Sequence, residues 1–151
     1  MADEGAPARP DLGAMLGPIG RGLVAMEMPI LREHGLSMWG YAVLTGLEGQ
    51  PVRTQAALAE AIGADKTRLI PVLDELQAAG LIDRHAAPDD RRARVLSITD
   101  EGRRRRDAAR TAIQSRENRL LDVLTPAQRD GFLGALRVLS ALPREAISDP
   151  P

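Results

Sequence analysis

Apolar residues recur every three or four positions in the first third of the chain, which is the spacing of one face of an α-helix. The first stripe runs from Leu12 to about Leu31, and the glycines and Pro18 within it argue against an unbroken helix. A second apolar segment follows Ser37, a favourable N-cap, and ends near Gly49. We therefore predict two helices before residue 50.

The stretch from residue 54 to residue 80 predicts two short helices joined by a tight turn. Thr54 and Asp65 are good N-caps, and Gly63 and Gly80 are good terminators for helices over 55–62 and 66–79. Gly63 also suits the positive φ of a sharp helix-turn-helix bend. Small or apolar residues occupy the positions where two such helices share a core: Leu58, Ala59, Ile62, Ala64, Leu69 and Val72. The second helix contains Pro71, which should remove one backbone hydrogen bond and bend the axis.

After Gly80 the period changes from that of a helix to that of a strand. Residues 81–84 and 94–98 read as short strands around a segment rich in turn formers, which predicts a hairpin with a charged tip. Thr99 then caps a long helix, and Thr125 with Pro126 begins a last helix that Pro143 stops. The predicted fold is mainly α with a small β-hairpin wing, a winged helix-turn-helix.

Composition removes several function classes. The chain of 151 residues contains no cysteine, which excludes disulfides, thiolate metal sites and thiol redox sensing. No apolar run approaches the roughly 20 residues that a membrane span needs, and the acidic first residues do not resemble a signal peptide. We expect a soluble cytoplasmic protein.

The net charge of −1 hides an uneven distribution. Residues 84–119 hold eleven arginines and six acids, a local charge of +5, whereas residues 1–50 hold three arginines and six acids, a local charge of −3. A basic band in a nearly neutral chain indicates a face that meets an anion, although a solvated helix face has the same composition.

The basic band and the predicted motif together point to DNA. Lys66, Thr67 and Arg68 stand at the start of the second helix of the motif, the part that enters the major groove, where Arg can contact guanine and Thr a thymine methyl or a phosphate. The alternative is that Lys66 and Arg68 are merely solvated. Thr54 and Gln55, at the start of the first helix of the motif, complete this part of the candidate DNA-binding set.

The tip of the predicted hairpin carries the second group of candidates. Asp90, Arg91, Arg92 and Arg94 fit a wing that inserts arginine into a narrow minor groove, with the Asp90 carboxylate holding the Arg92 guanidinium as a bidentate pair. The alternative is a tip made soluble by its charges. Of the consecutive arginines 103–106, we expect one or two to touch phosphate and the others to pair with neighbouring acids.

Nothing in the chain predicts catalysis. His34 and His85 have no spacing that links them as metal ligands, and no nucleophile elbow, phosphate loop or dinucleotide fingerprint occurs. We therefore expect no enzyme activity, no metal site and no cofactor.

The run from Leu76 to Gly102, together with the helices of the motif before it, resembles the MarR family of bacterial transcriptional regulators. The resemblance covers roughly residues 38–102, and Ile98 stands where leucine is usual. Its most specific part consists of Leu76, Gly80, Leu81, Ile82, Arg84, Pro88, Asp90, Arg91, Arg92, Val95, Ile98, Thr99 and Gly102.

The resemblance implies a homodimer that binds a pseudo-palindromic operator, represses transcription and releases DNA when a small molecule binds. It implies a dimerisation region of helices from 11–35 and 103–145 and a DNA-binding lobe 36–102, and the composition of residues 1–10, rich in alanine, proline, glycine and charge, predicts a disordered segment before them. An effector pocket is implied between the two regions. Its candidate lining residues, which are equally typical of a core, are Met26, Met28, Met38, Trp39 and Tyr41.

A second function remains open, because a fold does not by itself determine function. A winged-helix dimer can act as a protein-interaction module without binding DNA. Such a module has no need of the arginines in the wing.

Overall fold

The computed structural model describes residues 8–50 and 52–151. Of the segment 1–10 that we expect to be disordered, residues 1–7 lie outside the described residues, and residues 8–10 are exposed without regular structure. The helices are α1 (Leu12–Glu33), α2 (Met38–Gly46), α3 (Gln55–Ile62), α4 (Lys66–Ala78), α5 (Asp100–Leu121), α6 (Pro126–Ser140) and α7 (Arg144–Ser148). The strands are β1 (Val52–Thr54), β2 (Ile82–Ala86) and β3 (Arg94–Ile98).

The helix-turn-helix and the wing are confirmed. Thr54 Oγ1 accepts a hydrogen bond from the Ala57 amide at 3.1 Å and Asp65 Oδ1 one from the Thr67 amide at 3.2 Å, so each cap begins the helix expected of it. Gly63 closes α3 at a φ of 66°, in the left-handed region that only glycine enters at little cost. Mainly helical structure with a β-hairpin wing is therefore the fold of this chain.

α1 is one unbroken helix, contrary to the expected interruption at Pro18. Pro18 removes only the hydrogen bond to the carbonyl of Ala14. Because Ala14 and Pro18 are both exposed, water can hydrate that carbonyl in place of the missing amide.

The core lies inside the lobe that α2, α3, α4 and the sheet enclose. Apolar residues of these elements are fully removed from solvent: Val43, Leu44, Leu47, Leu58, Leu69, Leu73, Ile82 and Leu96. Ala59 is 3% exposed, so the small residue expected at this position is buried in the core. The core thus joins the helices of the motif to the sheet that carries the wing.

The sheet has three antiparallel strands in the order β1-β3-β2, one more than expected. β2 pairs with β3 from Ile82 opposite Ile98 to Ala86 opposite Arg94, which is the predicted hairpin. β1 pairs with the other edge of β3 and places Thr54 opposite Val95. Three residues are too few to show the alternation of a strand, so only its partner strand reveals β1. The extra pairing brings the start of α3 beside the wing.

The junction between the lobe and α5 is close-packed. Thr99 Oγ1 donates to the Gly80 carbonyl at 2.7 Å and accepts from the Gly102 amide at 3.0 Å. A Cβ added to Gly102 would lie 2.2 Å from the carbonyl oxygen of Leu81, so only glycine fits there. The start of α5 is thus tied directly to the turn that ends α4.

The chain forms two compact units, one up to Ile113 and one from Gln114 onwards. In the second unit, Thr125 and Gln128 form a reciprocal capping box at the start of α6. Pro143 does not simply end the fold, since it is the N-cap of the additional helix α7. No residue of α6 or α7 is buried.

Candidate nucleic-acid interface

The first turn of α4 presents Lys66, Thr67 and Arg68 to solvent, as the sequence predicts. Leu69, the next residue, is fully buried and anchors this turn in the core. The side chain of Asp65 caps the same turn, so the three candidate residues stand on a well-defined helix start.

Arg68 has a partner that the sequence did not reveal. Its guanidinium carbon lies 5.8 Å from the ring centroid of Trp39 in α2, within the range of a cation–π interaction. Trp39 is therefore engaged by a candidate DNA-binding residue. The contact holds Arg68 on the side of α4 that faces α2.

The wing tip shows how Asp90 acts, and here the expected bidentate pair is wrong. Asp90 Oδ1 accepts a hydrogen bond from the backbone amide of Arg92 at 2.9 Å, and the turn is closed by the Ala93 amide donating to the Asp90 carbonyl at 3.1 Å. A carboxylate two residues before an amide forms this local Asx-type bond without ordering a long side chain. Asp90 thus shapes the turn and leaves the Arg92 guanidinium free to reach outward.

The candidate cations have no acidic partner within the part of the chain that the structure describes. Lys66, Arg91, Arg92 and Arg94 are all exposed, and none is paired with a carboxylate among residues 8–50 and 54–151. Unpaired cations are available to phosphates at no cost of breaking an internal ion pair.

A cleft of about 270 Å³ brings several of these candidates together between α3, α4 and the wing. Its lining residues are Thr54, Gln55, Ala56, Lys66, Arg92, Ala93 and Arg94. A neighbouring cleft shares Gln55 and Arg94 with it and extends along α4 to Ile70. Thr67 and Arg68 lie outside both clefts on α4, and Asp90 and Arg91 lie at the tip of the wing.

The consecutive arginines of α5 are engaged with acids. Arg103 pairs with Asp100 at 3.0 Å, Arg104 with Glu101 at 2.7 Å, and Arg105 with Glu101 at 3.5 Å. Arg106 is 6% exposed and pairs with Asp107 at 2.8 Å. The expected pairing with neighbouring acids is therefore confirmed, whereas contact of one or two of them with phosphate stays a prediction.

The five candidate effector-binding residues lie in different surroundings. Met38 and Tyr41 pack against the core, Trp39 lies under Arg68, Met26 is half-buried and Met28 is 39% exposed on α1. A cleft of about 540 Å³ between the end of α1 and the start of α5 contains none of them. It is lined by Glu33, His34, Gly35, Glu101, Arg104, Arg105 and Ala108. These residues come from two segments that are about 65 residues apart in the sequence, and no sequence pattern predicts that the segments line one cleft.

An ionic cluster joins the end of the α2 segment to α5. Glu48 forms a two-point pair with Arg110, one arm of which measures 2.8 Å, and its carboxylate lies 3.9 Å from Arg106. The hydrogen bond from Arg110 holds the pKa of Glu48 below its ordinary value of 4.5, and the charges of Arg106 and Arg110 act in the same direction against partial burial.

We expect Glu48→Gln to lower the free energy of unfolding at neutral pH and to weaken the acid sensitivity of the fold. A carboxylate whose pKa is depressed by folding stabilises the fold above its unfolded pKa, and this stabilisation disappears as the pH falls through the folded pKa. The difference in the free energy of unfolding between wild type and variant should therefore disappear well below pH 4.5, the ordinary pKa of the Glu48 carboxyl group. Urea unfolding at neutral pH and at a pH well below 4.5 measures this difference in stability.

The matched control is Glu60→Gln, which removes an exposed acid on α3. It should leave the acid dependence of the wild type intact. A Glu48→Gln variant whose stability followed pH as steeply as the wild type would contradict the assignment.

The described residues contain no cluster of three or more potential metal-ligating side chains. No helix among them is long and apolar enough to cross a membrane.

Comparisons with known proteins agree with the geometry. A sequence profile described as "MarR family" matches residues 34–93. A putative transcriptional regulatory protein for the hcr operon of Thauera aromatica is 29% identical over 149 residues, which cover 90% of this chain and 90% of that protein.

Two solved structures extend the similarity to three dimensions. The transcriptional repressor CouR bound to a 23-mer DNA duplex matches with a TM-score of 0.76 and 28% identity, over 86% of this chain and 92% of that one. CouR from Rhodococcus jostii RHA1 bound to p-coumaroyl-CoA matches with a TM-score of 0.74 and 27% identity, over 93% and 94% of the two chains.

Proposed function

We propose that this chain is a MarR-family transcriptional regulator, a homodimeric repressor that binds operator DNA in the cytoplasm and releases it on binding a small anionic effector. The start of α4 enters the major groove and the wing enters the adjacent minor groove. No catalytic step is part of this function.

The observation that carries DNA binding is the cationic cleft between α4 and the wing. Lys66, Arg92 and Arg94 line it together and none is neutralised by a described acid. The hydrogen-bonding side chains of Thr54 and Gln55 line the same cleft and suit the positioning contacts that phosphates accept. A cleft lined by unpaired cations supports contact of α4 and the wing with the phosphates of one duplex.

Uncovered apolar surface on the terminal helices supports the homodimer. The described exposed residues of this kind on α1, on α6 and just after α6 are Leu12, Met15, Leu16, Ile19, Val24, Met28, Leu136, Val138, Leu139 and Leu142. A second copy of the chain related by a two-fold axis would cover apolar surface of this kind and would pair two DNA-binding lobes with the two half-sites of an operator.

Salt-dependent binding tests the DNA function. Full-length protein is used to select duplexes from a random pool, and the affinity for the selected duplex is measured over a salt series. If about six cations of a dimer meet phosphates, log K should fall with log salt with a slope of about −5. Size-exclusion chromatography with light scattering should give the mass of a dimer.

The same measurement separates the two functions that the sequence left open. A protein-interaction module would enrich no sequence from the pool and would show a flat salt response. If the protein bound DNA as a monomer, the result would contradict the proposed homodimer and leave the proposed DNA binding intact.

The cleft of Glu33, His34, Arg104 and Arg105 supports the effector site. Glu101 pairs with both arginines, so an anionic ligand can replace it as their partner and disturb the start of α5. A CoA thioester is the first class to test, because p-coumaroyl-CoA is bound in the CouR structure. Release of the selected duplex by p-coumaroyl-CoA, but not by CoA alone, would support this class, and no release would contradict it.

A further inference from the structure

The outer face of α4 is apolar over its first two turns, and Asp74 continues the same face one turn later as the ion-pair partner of Arg84. Successive residues of a helix are about 100° apart, so Thr67, Ile70 and Pro71 share one face. Leu69 and Leu73 lie fully buried on the opposite face. All three residues of the outer face are exposed, and Ile70 is 49% exposed. We refer to Thr67, Ile70 and Pro71 as the α4 crest.

The cations of α4 lie on the two flanks of this crest. Lys66 lines the cleft that it shares with Arg92 and Arg94 of the wing, and Arg68 lies on the other side, over Trp39 of α2. Between the flanks, the Thr67 hydroxyl is the one side-chain group of the crest that can make a hydrogen bond. The cations of this helix therefore face the rims of a groove, and the centre of its first two turns offers methyl and methylene groups.

The position of Ile70 connects the crest to the DNA-binding surface. Ile70 lines the cleft that also contains Gln55 and Arg94, two candidate DNA-binding residues. The core does not require an isoleucine at this exposed position, because the buried side chains of Leu69 and Leu73 pack α4 against the core.

We propose that the α4 crest reads thymine methyl groups in the major groove and that Ile70 is a specificity-determining residue. This inference rests on the proposed function. Thymine is the base that presents a methyl group there, whereas guanine is read by charged donors such as arginine. The crest has no such donor, and Arg68 is held on a flank, where it meets phosphate in place of the guanine contact expected from the sequence.

The test deletes single methyl groups from the DNA. In the duplex selected by the wild-type protein, each thymine is replaced in turn by deoxyuridine, and the affinity is measured by fluorescence anisotropy. At one or two positions of each half-site, uracil should weaken wild-type binding by about fourfold, the factor that corresponds to burying one methyl-sized group. Ile70→Ala should bind the thymine duplex more weakly and should bind the thymine and uracil duplexes equally.

Ile147→Ala is the matched control, since it truncates an isoleucine that is 58% exposed in α7. It should keep the full uracil sensitivity of the wild type. Circular dichroism checks that Ile70→Ala is folded, as an exposed truncation should be.

Two kinds of failure are distinguishable. If a duplex is selected but uracil has no effect, or if the effect persists unchanged in Ile70→Ala, the inference is overturned and the proposed function stands. If the pool yields no preferred duplex, the proposed function fails and the inference fails with it.

Discussion

Arg92→Ala is expected to weaken operator binding by about 1–3 kcal/mol for each wing that enters a minor groove, and a dimer carries two wings. The Arg92 side chain is exposed and unpaired with any described acid, and Asp90 holds the turn through the backbone amide of Arg92 and not through its guanidinium. The substitution therefore removes the cation while the bond that shapes the turn survives. Anisotropy titration with the selected duplex measures the loss.

Arg144→Ala provides the comparison for Arg92→Ala. Arg144 begins α7 and is also exposed, so its removal changes the net charge equally without touching the wing. It should keep wild-type affinity, and both variants should remain dimeric by light scattering. Wild-type affinity in Arg92→Ala would mean that the wing does not contact DNA.

Gly102→Ala is expected to destabilise the fold by about 2 kcal/mol or more. The new Cβ would lie 2.2 Å from the Leu81 carbonyl oxygen and 2.9 Å from Ile98 Cγ1. Because the first obstacle is backbone, relief requires the start of α5 to move away from the turn that ends α4. Overpacking of this kind costs about 3 kcal/mol at its upper range, and the better helix propensity of alanine returns about 1 kcal/mol.

Gly131→Ala is the control for this effect. Gly131 lies within α6, and nothing would lie within 4 Å of its added Cβ, so alanine should raise stability by up to about 1 kcal/mol. Urea unfolding at one fixed protein concentration compares the two variants, since the stability of the proposed dimer would depend on concentration. Equal stability of Gly102→Ala and wild type would show that the start of α5 can move away from the Leu81 carbonyl at little cost, which would contradict the prediction.

Local signals predicted the elements that local chemistry controls. Caps at Thr54 and Asp65 and the turn at Gly63 act within a few residues, so the bounds of α3 and the start of α4 could be read directly. The wing strand over 94–98 followed from its alternation and was also confirmed.

Elements and contacts that depend on distant residues were missed. β1 exists because β3 offers it an edge, and a three-residue segment has no period of its own. The bidentate pair expected of Asp90 with Arg92 was wrong for a different reason, since the two residues are close in sequence. Sequence spacing allows a carboxylate to bond either a nearby guanidinium or a nearby amide, and only the turn geometry selects the amide.

By itself, the sequence predicted the order of the first six helices, the helix-turn-helix and the charged wing, because short-range caps, turns and periodicity encode them. It also supplied Lys66, Thr67, Arg68, Arg91 and Arg92 as candidate residues. Only the tertiary structure decided which charges are free. It set Arg68 over Trp39 and left Lys66, Arg92 and Arg94 unpaired around one cleft. The physical reason is that an ion pair or a stacking contact depends on distance in space, which packing sets between residues far apart in the chain.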